Sequence, residues 1–216
     1  MLKTIIMDFD GLIVDTERVW YQIYREWFRE NKGYDLSVQE FLICVGSRAE
    51  ELFKTLEEQK GICVDRENFV RDTQQRFIEE SVKLPARKGV ERFLEKAARS
   101  GLKVALATSS GRKKPVSHLE RLGLMQYFDL LVTAEDVERI KPAPDLFLKA
   151  AAGTGSRPEE CLVVEDSLNG LNAGKNAGMR VLVVPNDVTR YSDFQGFYRM
   201  ADSLDDMDPA DLAETF

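Results

Sequence analysis

From residue 85 onward the hydrophobic positions follow a repeating plan: a short apolar run, a turn, then an amphipathic stretch. Val90, Phe93, Leu94, Ala97 and Ala98 recur at helical spacing, and Gly101 stands where that helix would end. Residues 104–107 follow as a strand, and a helix carrying Val116, Leu119 and Leu122 is closed by Gly123. Residues 128–132 read as another strand. Pro144, suited to a first helical turn, opens a helix with Phe147, Leu148, Ala151 and Ala152 that stops near Gly153. Residues 161–164 form a strand, the segment to Ala177 a helix with Gly178 behind it, and residues 181–184 the last strand.

Strands that are apolar throughout, rather than alternating, suit a parallel sheet covered on both faces. Their alternation with helices predicts a doubly wound α/β fold. Residues 5–7 supply a first strand, yet no second strand follows until residue 103. Between them the pattern is helical only. Trp20, Ile23, Tyr24, Trp27 and Phe28 make one apolar face. Ala49, Leu52, Phe53 and Leu56 make a second, and Phe69, Val70, Phe77 and Ile78 a third. The expected organisation is a core of residues 1–15 and 83–216, with a small all-helical insert at 16–82 and a peripheral acidic tail from residue 202.

Composition narrows the function. The chain has 216 residues, 30 Lys+Arg against 37 Asp+Glu, a net charge of −7, and 44% hydrophobic residues. That describes a soluble globular protein able to bury a real core. The acidic balance argues against nucleic-acid binding by general attraction. The longest apolar run, residues 41–45, is far too short to span a membrane, and the N-terminus lacks the plan of a signal peptide. Three cysteines without C-x-x-C spacing exclude a disulfide framework and point to the cytoplasm. A single histidine, His118, removes paired-histidine metal chemistry. Any catalysis must therefore rest on carboxylates.

The carboxylates are placed to do so. Asp8 and Asp10 stand two apart at the end of the first strand, where side chains at i and i+2 point the same way, and Gly11 lets the chain turn off. Strand 104–107 ends in Thr108-Ser109-Ser110, hydroxyls and backbone N–H groups suited to an anion. Strand 161–164 ends in Glu165-Asp166, and Lys141 stands just before a helix start. In a parallel sheet these strand ends meet at one edge. Two carboxylates ~4 Å apart repel by about 4 kcal/mol at an effective dielectric of ~20. An all-oxygen ligand set suits a hard cation such as Mg²⁺. Hydroxyls, lysine and such an ion around a carboxylate describe a phosphoryl site.

Asp8-Phe9-Asp10-Gly11, Thr108-Ser109, Lys141-Pro142 and Glu165-Asp166-Ser167 resemble the four motifs of the haloacid dehalogenase superfamily of phosphohydrolases. Asp15-Thr16-Glu17 and the helical insert are similar to the branch holding β-phosphoglucomutase and sugar-phosphate phosphatases. The resemblance implies a Rossmann-like core with a helical cap inserted after strand one. It implies that Asp8 is the nucleophile and Asp10 the acid and base. Thr108, Ser109 and Lys141 would hold the phosphoryl oxygens. Mg²⁺ would be bound by Asp8, the Asp10 carbonyl and Asp166, with Glu165 a ligand or just behind. The substrate expected is a small phosphorylated metabolite, and the charge is compatible with a monomer.

Within that branch the mutase has a cap histidine and a cap lysine; the matching positions here are Trp20 and Val45. Gly46-Ser47-Arg48 keeps part of the cap loop, with Arg48 one residue out of register. Phosphatase action is the expectation, mutase action the alternative. Trp20 would either line the substrate pocket or pack in the cap. A receiver-like phosphoacceptor has no need of Asp10, and a true dehalogenase has no need of the metal ligands. Arg112-Lys113-Lys114 reads as a solvated loop whose place after Ser109-Ser110 puts Arg112 within reach of substrate, and His118 as a helix residue that is not a ligand.

Overall fold

A computed structural model describes all of residues 1–216. The apolar runs become the strands β1 (Thr4–Met7), β2 (Lys103–Ala107), β3 (Leu130–Val132), β4 (Cys161–Glu165) and β5 (Arg180–Val183), joined by a short β6 (Arg199–Met200). They form one sheet in the order β3-β2-β1-β4-β5-β6, with every neighbouring pair parallel. The helices are α1 (Thr16–Lys32), α2 (Val38–Phe41), α3 (Glu50–Lys60), α4 (Arg66–Ser81), α5 (Val90–Arg99), α6 (Lys113–Arg121), α7 (Asp145–Thr154), α8 (Leu168–Asn176) and α9 (Pro209–Thr215). No helix is long and apolar enough to cross a membrane.

The period of two along each strand divides the core into two layers. Ile5, Met7, Val104, Leu106, Leu162 and Val164 pack with Val90, Phe93, Leu94 and Ala97 of α5. Ile6, Ala105, Ala107 and Val163 pack on the other face with Leu146, Phe147 and Ala150 of α7 and Leu171 of α8. Every residue of β1 and β4 is buried, which is why these runs carry no polar alternation. The direction of strand addition reverses around β1: β2 and β3 lie to one side, β4 and β5 to the other. The carboxyl ends of β1 and β4 therefore flank the crevice where such sheets bind ligands.

Helices α1 to α4 hold a separate apolar cluster, Trp27, Phe28, Phe41, Phe53 and Phe69 among its members. Phe69 is its centre, with the rings of Tyr24, Trp27, Phe28 and Phe53 at centroid distances of 4.7, 4.8, 5.9 and 4.9 Å. Tilted and edge-on arrangements of this kind are favoured by the ring quadrupoles. The short α2 starts at a capping box: Ser37 Oγ accepts from the Glu40 N–H, and Glu40 accepts from the Ser37 N–H.

Four expectations from the pattern need correction. On α4 the inward residues are Phe69, Thr73, Phe77 and Ser81, a strict four-residue row, whereas Val70 and Ile78 face solvent. Gly153 lies inside α7, packed so closely on Leu130 that a Cβ would come within 2.4 Å of it; the helix ends at Gly155 in a left-handed cap. Residues 112–114 are not a solvated loop, since α6 begins at Lys113. Nor is the tail peripheral: Leu204 and Leu212 are buried in the α5 layer. An acidic average hid two apolar anchors on 3-10 and helical turns.

Candidate active site

β1 leads directly into the site. The Asp8 N–H still donates to the Val164 carbonyl at 3.0 Å, so the sheet sets the direction of this carboxyl. Gly11 then turns at φ +73°, and a Cβ there would sit 2.2 Å from Asp166 Oδ2. Only glycine gives both the left-handed turn and this close approach. Lys141, 1% exposed, bridges Asp8 Oδ1 and Glu165 Oε1, the latter at 2.6 Å. Glu165 Oε2 accepts from the N–H groups of Asp166 and Ser167 and from the Ser167 hydroxyl, at 3.0 to 3.1 Å. Its oxygens are thus committed to the protein. Asp166 differs: Oδ2 accepts from Asn186 at 2.7 Å, while Oδ1 is buried with no partner.

This arrangement is short of positive charge. Asp8, Asp10 and Glu165 form their ion pairs with Lys141 and Lys114 alone, and Arg87 acts on Asp166 without touching it, four carboxylates against three cations. Burial, opposed by Lys141 and reinforced by Glu165 and Asp10, pushes Asp8 up to about 7. Burial, then Glu165 and Asp8, drive Asp166 well above the ordinary carboxylate range. Burial works against the charge on Lys141, but Asp8 and Glu165 outweigh it and hold the ammonium above its usual range. A divalent cation would close the deficit and satisfy the orphaned Asp166 oxygen. Ligand oxygens of Asp8, Glu165 and Asp166 lie within 4.8 Å of one another, so the donor set fits such an ion.

Asp10 is held apart from that cluster. Its Oδ1 accepts from the Thr16 hydroxyl at 2.8 Å and from Lys114 Nζ at 2.6 Å, and its Oδ2 from the Ser110 hydroxyl at 2.6 Å. Burial disfavours its charge, yet Lys114 with these hydrogen bonds keeps its pKa below the ordinary value. The residue that reaches the site from the basic stretch is therefore Lys114. Arg112 is turned away, bonded to Asp136 at 2.9 Å and to the Leu131 carbonyl. His118 is buried against Phe9 with Nδ1 3.1 Å from Arg121, outside the site.

Above these groups lies a cavity of ≈ 190 Å³. Asp8, Asp10, Thr108, Ser109, Ser110, Gly46 and Trp20 all line it, joined by Glu17 and Lys114, which the sequence reading did not select. The Thr108 oxygen accepts the Ser110 N–H at 3.1 Å, which leaves its own proton free. Two core side chains tie down the loop over the cavity: Ser109 donates to the Gly46 carbonyl at 3.1 Å and Asn169 to that of Val45 at 2.7 Å. Trp20 both lines the cavity and stacks on Phe77 at 3.9 Å. Arg48 is not with the others. It is exposed and borders a neighbouring hollow with Trp20 and Tyr24, because the turn after Gly46 directs it outward. Cys44 also lines the cavity, but burial and then Glu17 push its thiol far above the range of a nucleophile.

The missed residues had no local signal. Lys114 depends on how α6 is phased over Asp10, and Asn186 lies 20 residues beyond its partner Asp166. Glu17 follows Thr16 at the start of α1, where an acidic residue is ordinary.

Comparison with known proteins agrees with this geometry. The family profile of the haloacid dehalogenase-like hydrolases matches residues 5–184. YhcW of Bacillus subtilis is 40% identical over 215 residues, 99% of this chain and 97% of that one. The phosphorylated carbohydrates phosphatase of Thermotoga maritima is 32% identical over 181 residues, 82% of each chain. The crystal structure of CbbY from Rhodobacter sphaeroides in complex with phosphate is similar with a TM-score of 0.75 at 28% identity, covering 95% of this chain and 96% of the other. A carboxyl-rich crevice at the strand ends, in this fold and with these relatives, places the chain in the haloacid dehalogenase-like hydrolase family, as a phosphoric monoester hydrolase.

Proposed function

We propose that the protein is a Mg²⁺-dependent phosphatase of small phosphorylated metabolites, sugar phosphates foremost, acting through an aspartyl-phosphate on Asp8. Residues 16–82 would serve as the cap over the substrate. The observation that carries this reading is the setting of Asp8: it faces a cavity, with Lys141 on one side and a partnerless Asp166 oxygen near it. Asp8, the Asp10 carbonyl and Asp166 would hold the ion, and Glu165 would stand behind them, orienting Lys141. Mg²⁺ bound there supplies the positive charge that lets an anionic nucleophile approach an anionic phosphate.

The side chains account for the remaining steps. Asp8 attacks phosphorus as the bond to the leaving oxygen breaks, and Asp10 protonates that oxygen. The free Thr108 proton and the Lys141 ammonium are placed to hold the phosphoryl oxygens. Water then attacks phosphorus as the bond to the Asp8 oxygen breaks, inorganic phosphate leaves with Asp8 a carboxylate again, and Asp10 takes the proton of the water. The ionised state in which Lys114 and Ser110 hold Asp10 is the one this second half requires.

Two observations support hydrolysis over mutase action. Val45 is buried in the cap cluster and Trp20 stacks on Phe77, so neither position offers a proton donor comparable to the mutase histidine and lysine. The cavity, below the about 300–1,000 Å³ of drug-sized ligand sites, suits a small leaving group. The Thermotoga relative is named for phosphorylated carbohydrates and CbbY was crystallised with phosphate, which fits the same class. The deciding experiment is phosphate release from a panel of phosphometabolites, with Mg²⁺ and with the metal chelated. Release from sugar phosphates only with Mg²⁺ is expected. No release from any monoester would overturn the reading, and conversion of β-glucose 1-phosphate to glucose 6-phosphate would replace it with the mutase.

A further inference from the structure

Besides Asp8, Asp10, Lys114 and the hydroxyls of residues 108–110, the cavity is lined by Trp20, Tyr24, Phe41, Cys44 and Glu17, among others. Glu17 is out of character among them. It is only 6% exposed, it lines the cavity, and no group of the protein donates a hydrogen bond to it; only burial and the charges of Asp10, Lys114, Asp8 and Asp15 act on it. Lys114, the one cation in the cavity lining, is already engaged with Asp10 at 2.6 Å. The Glu17 oxygens open on the cavity, where only solvent is left to partner them.

A leaving group with hydroxyls would replace it. A small polyol or sugar offers donors and acceptors to the carboxyl, and its C–H surface suits the aromatic rings beside it. A leaving group with a second phosphate would meet no available cation and would face a carboxyl instead. We propose that Glu17 is the specificity residue that reads the leaving group, accepting an uncharged, hydroxyl-bearing one with a single phosphate and rejecting one with a second phosphate. This rests on the phosphatase reading above.

The test compares kcat/KM of wild type, Glu17→Ala and Glu17→Gln on four substrates. These are glucose 6-phosphate, p-nitrophenyl phosphate (which has no hydroxyl on its leaving group), fructose 1,6-bisphosphate and O-phosphoethanolamine. Wild type should prefer glucose 6-phosphate to the bisphosphate by about 10-fold or more. In Glu17→Ala the ratio of glucose 6-phosphate to p-nitrophenyl phosphate should fall by about 10-fold, mostly through KM, because the hydroxyl loses its partner. At pH 9, where Glu17 is ionised, Glu17→Gln, which keeps size and hydrogen-bonding capacity, should relax discrimination against the bisphosphate several-fold while the hydroxyl preference largely stays. Equal losses on all four substrates, unchanged ratios, or a wild-type preference for phosphoethanolamine would each overturn the proposal. If Glu17→Ala does not fold by circular dichroism, the bisphosphate arm of Glu17→Gln decides alone. Wild-type inactivity toward every monoester would instead defeat the phosphatase reading beneath it.

Discussion

At the floor of the cavity Lys141 serves two carboxylates at once, Glu165 uses both its oxygens, and the backbone of β1 and β4 sets every direction. In the cavity wall Glu17 has no hydrogen-bond partner in the protein and shares the lining with aromatic side chains carried by helices. The floor is a densely bonded polar network on the most buried strands of the sheet, and its one fully buried oxygen without a partner is on Asp166. The wall is largely aromatic, with a single carboxyl on it from α1. Saturation fixes geometry, as transferring a phosphoryl group demands. An unsatisfied wall leaves its recognition to be completed by whatever binds.

The sharpest way to break this contrast is Asp8→Asn. Turnover should fall by about 10⁴-fold or more while the fold is kept, since the substitution removes the proposed nucleophile and also one buried acidic group. Phosphate-release kinetics beside a thermal melt would show it, and residual activity near wild type would mean the floor is not where chemistry occurs. Asp10→Asn should cost about 10²- to 10⁴-fold, the range of a lost general acid and base. Rapid-quench measurement should find the phosphoenzyme accumulating, because its breakdown loses the base.

The wall is tested through its packing. Phe69→Ala empties the centre of the α1–α4 cluster and should cost about 3–5 kcal/mol. If the two regions are energetically separate, hydrogen exchange will speed up in residues 16–82 and leave β1 and β4 protected. Uniform loss of protection would show a single cooperative unit.

The smallest expected effect concerns pH. Burial, and next the charge of Asp10, push Glu17 up to about 8, from 4.5 in an open chain. The folded state therefore keeps a proton that the unfolded state releases, so this stability is full below the unfolded value and is lost as pH rises through the folded one. Between about pH 5.5 and about pH 7.5 the loss should reach roughly 2 kcal/mol, and Glu17→Gln should abolish that part of the slope. Urea titrations of the metal-free variant and parent at both pH values would measure it. Parallel slopes would place the Glu17 carboxyl in water rather than against the wall.

The floor was legible because its signals are local. Asp8 and Asp10 follow an apolar run, Thr108-Ser109 another and Glu165-Asp166 a third, and each run is short and wholly buried. The wall was legible only as helix. Val70 and Ile78 looked like core and are solvent-exposed, Arg48 looked like a ligand and points away, and Lys114 looked solvated and reaches Asp10. A helix can turn its face by one residue without changing its composition, so periodicity names a stripe but not what the stripe meets.

By itself, the sequence determined the strands, their parallel burial and the carboxylates at their ends. Those follow from a period of two and from a rule of sheet topology that brings strand ends to one edge. Tertiary structure alone decided which groups complete the site. Lys114, Asn186 and Glu17 acquire their roles through contacts across distant elements or through burial between them, and no local pattern of side chains encodes the angle at which one helix lies over a sheet.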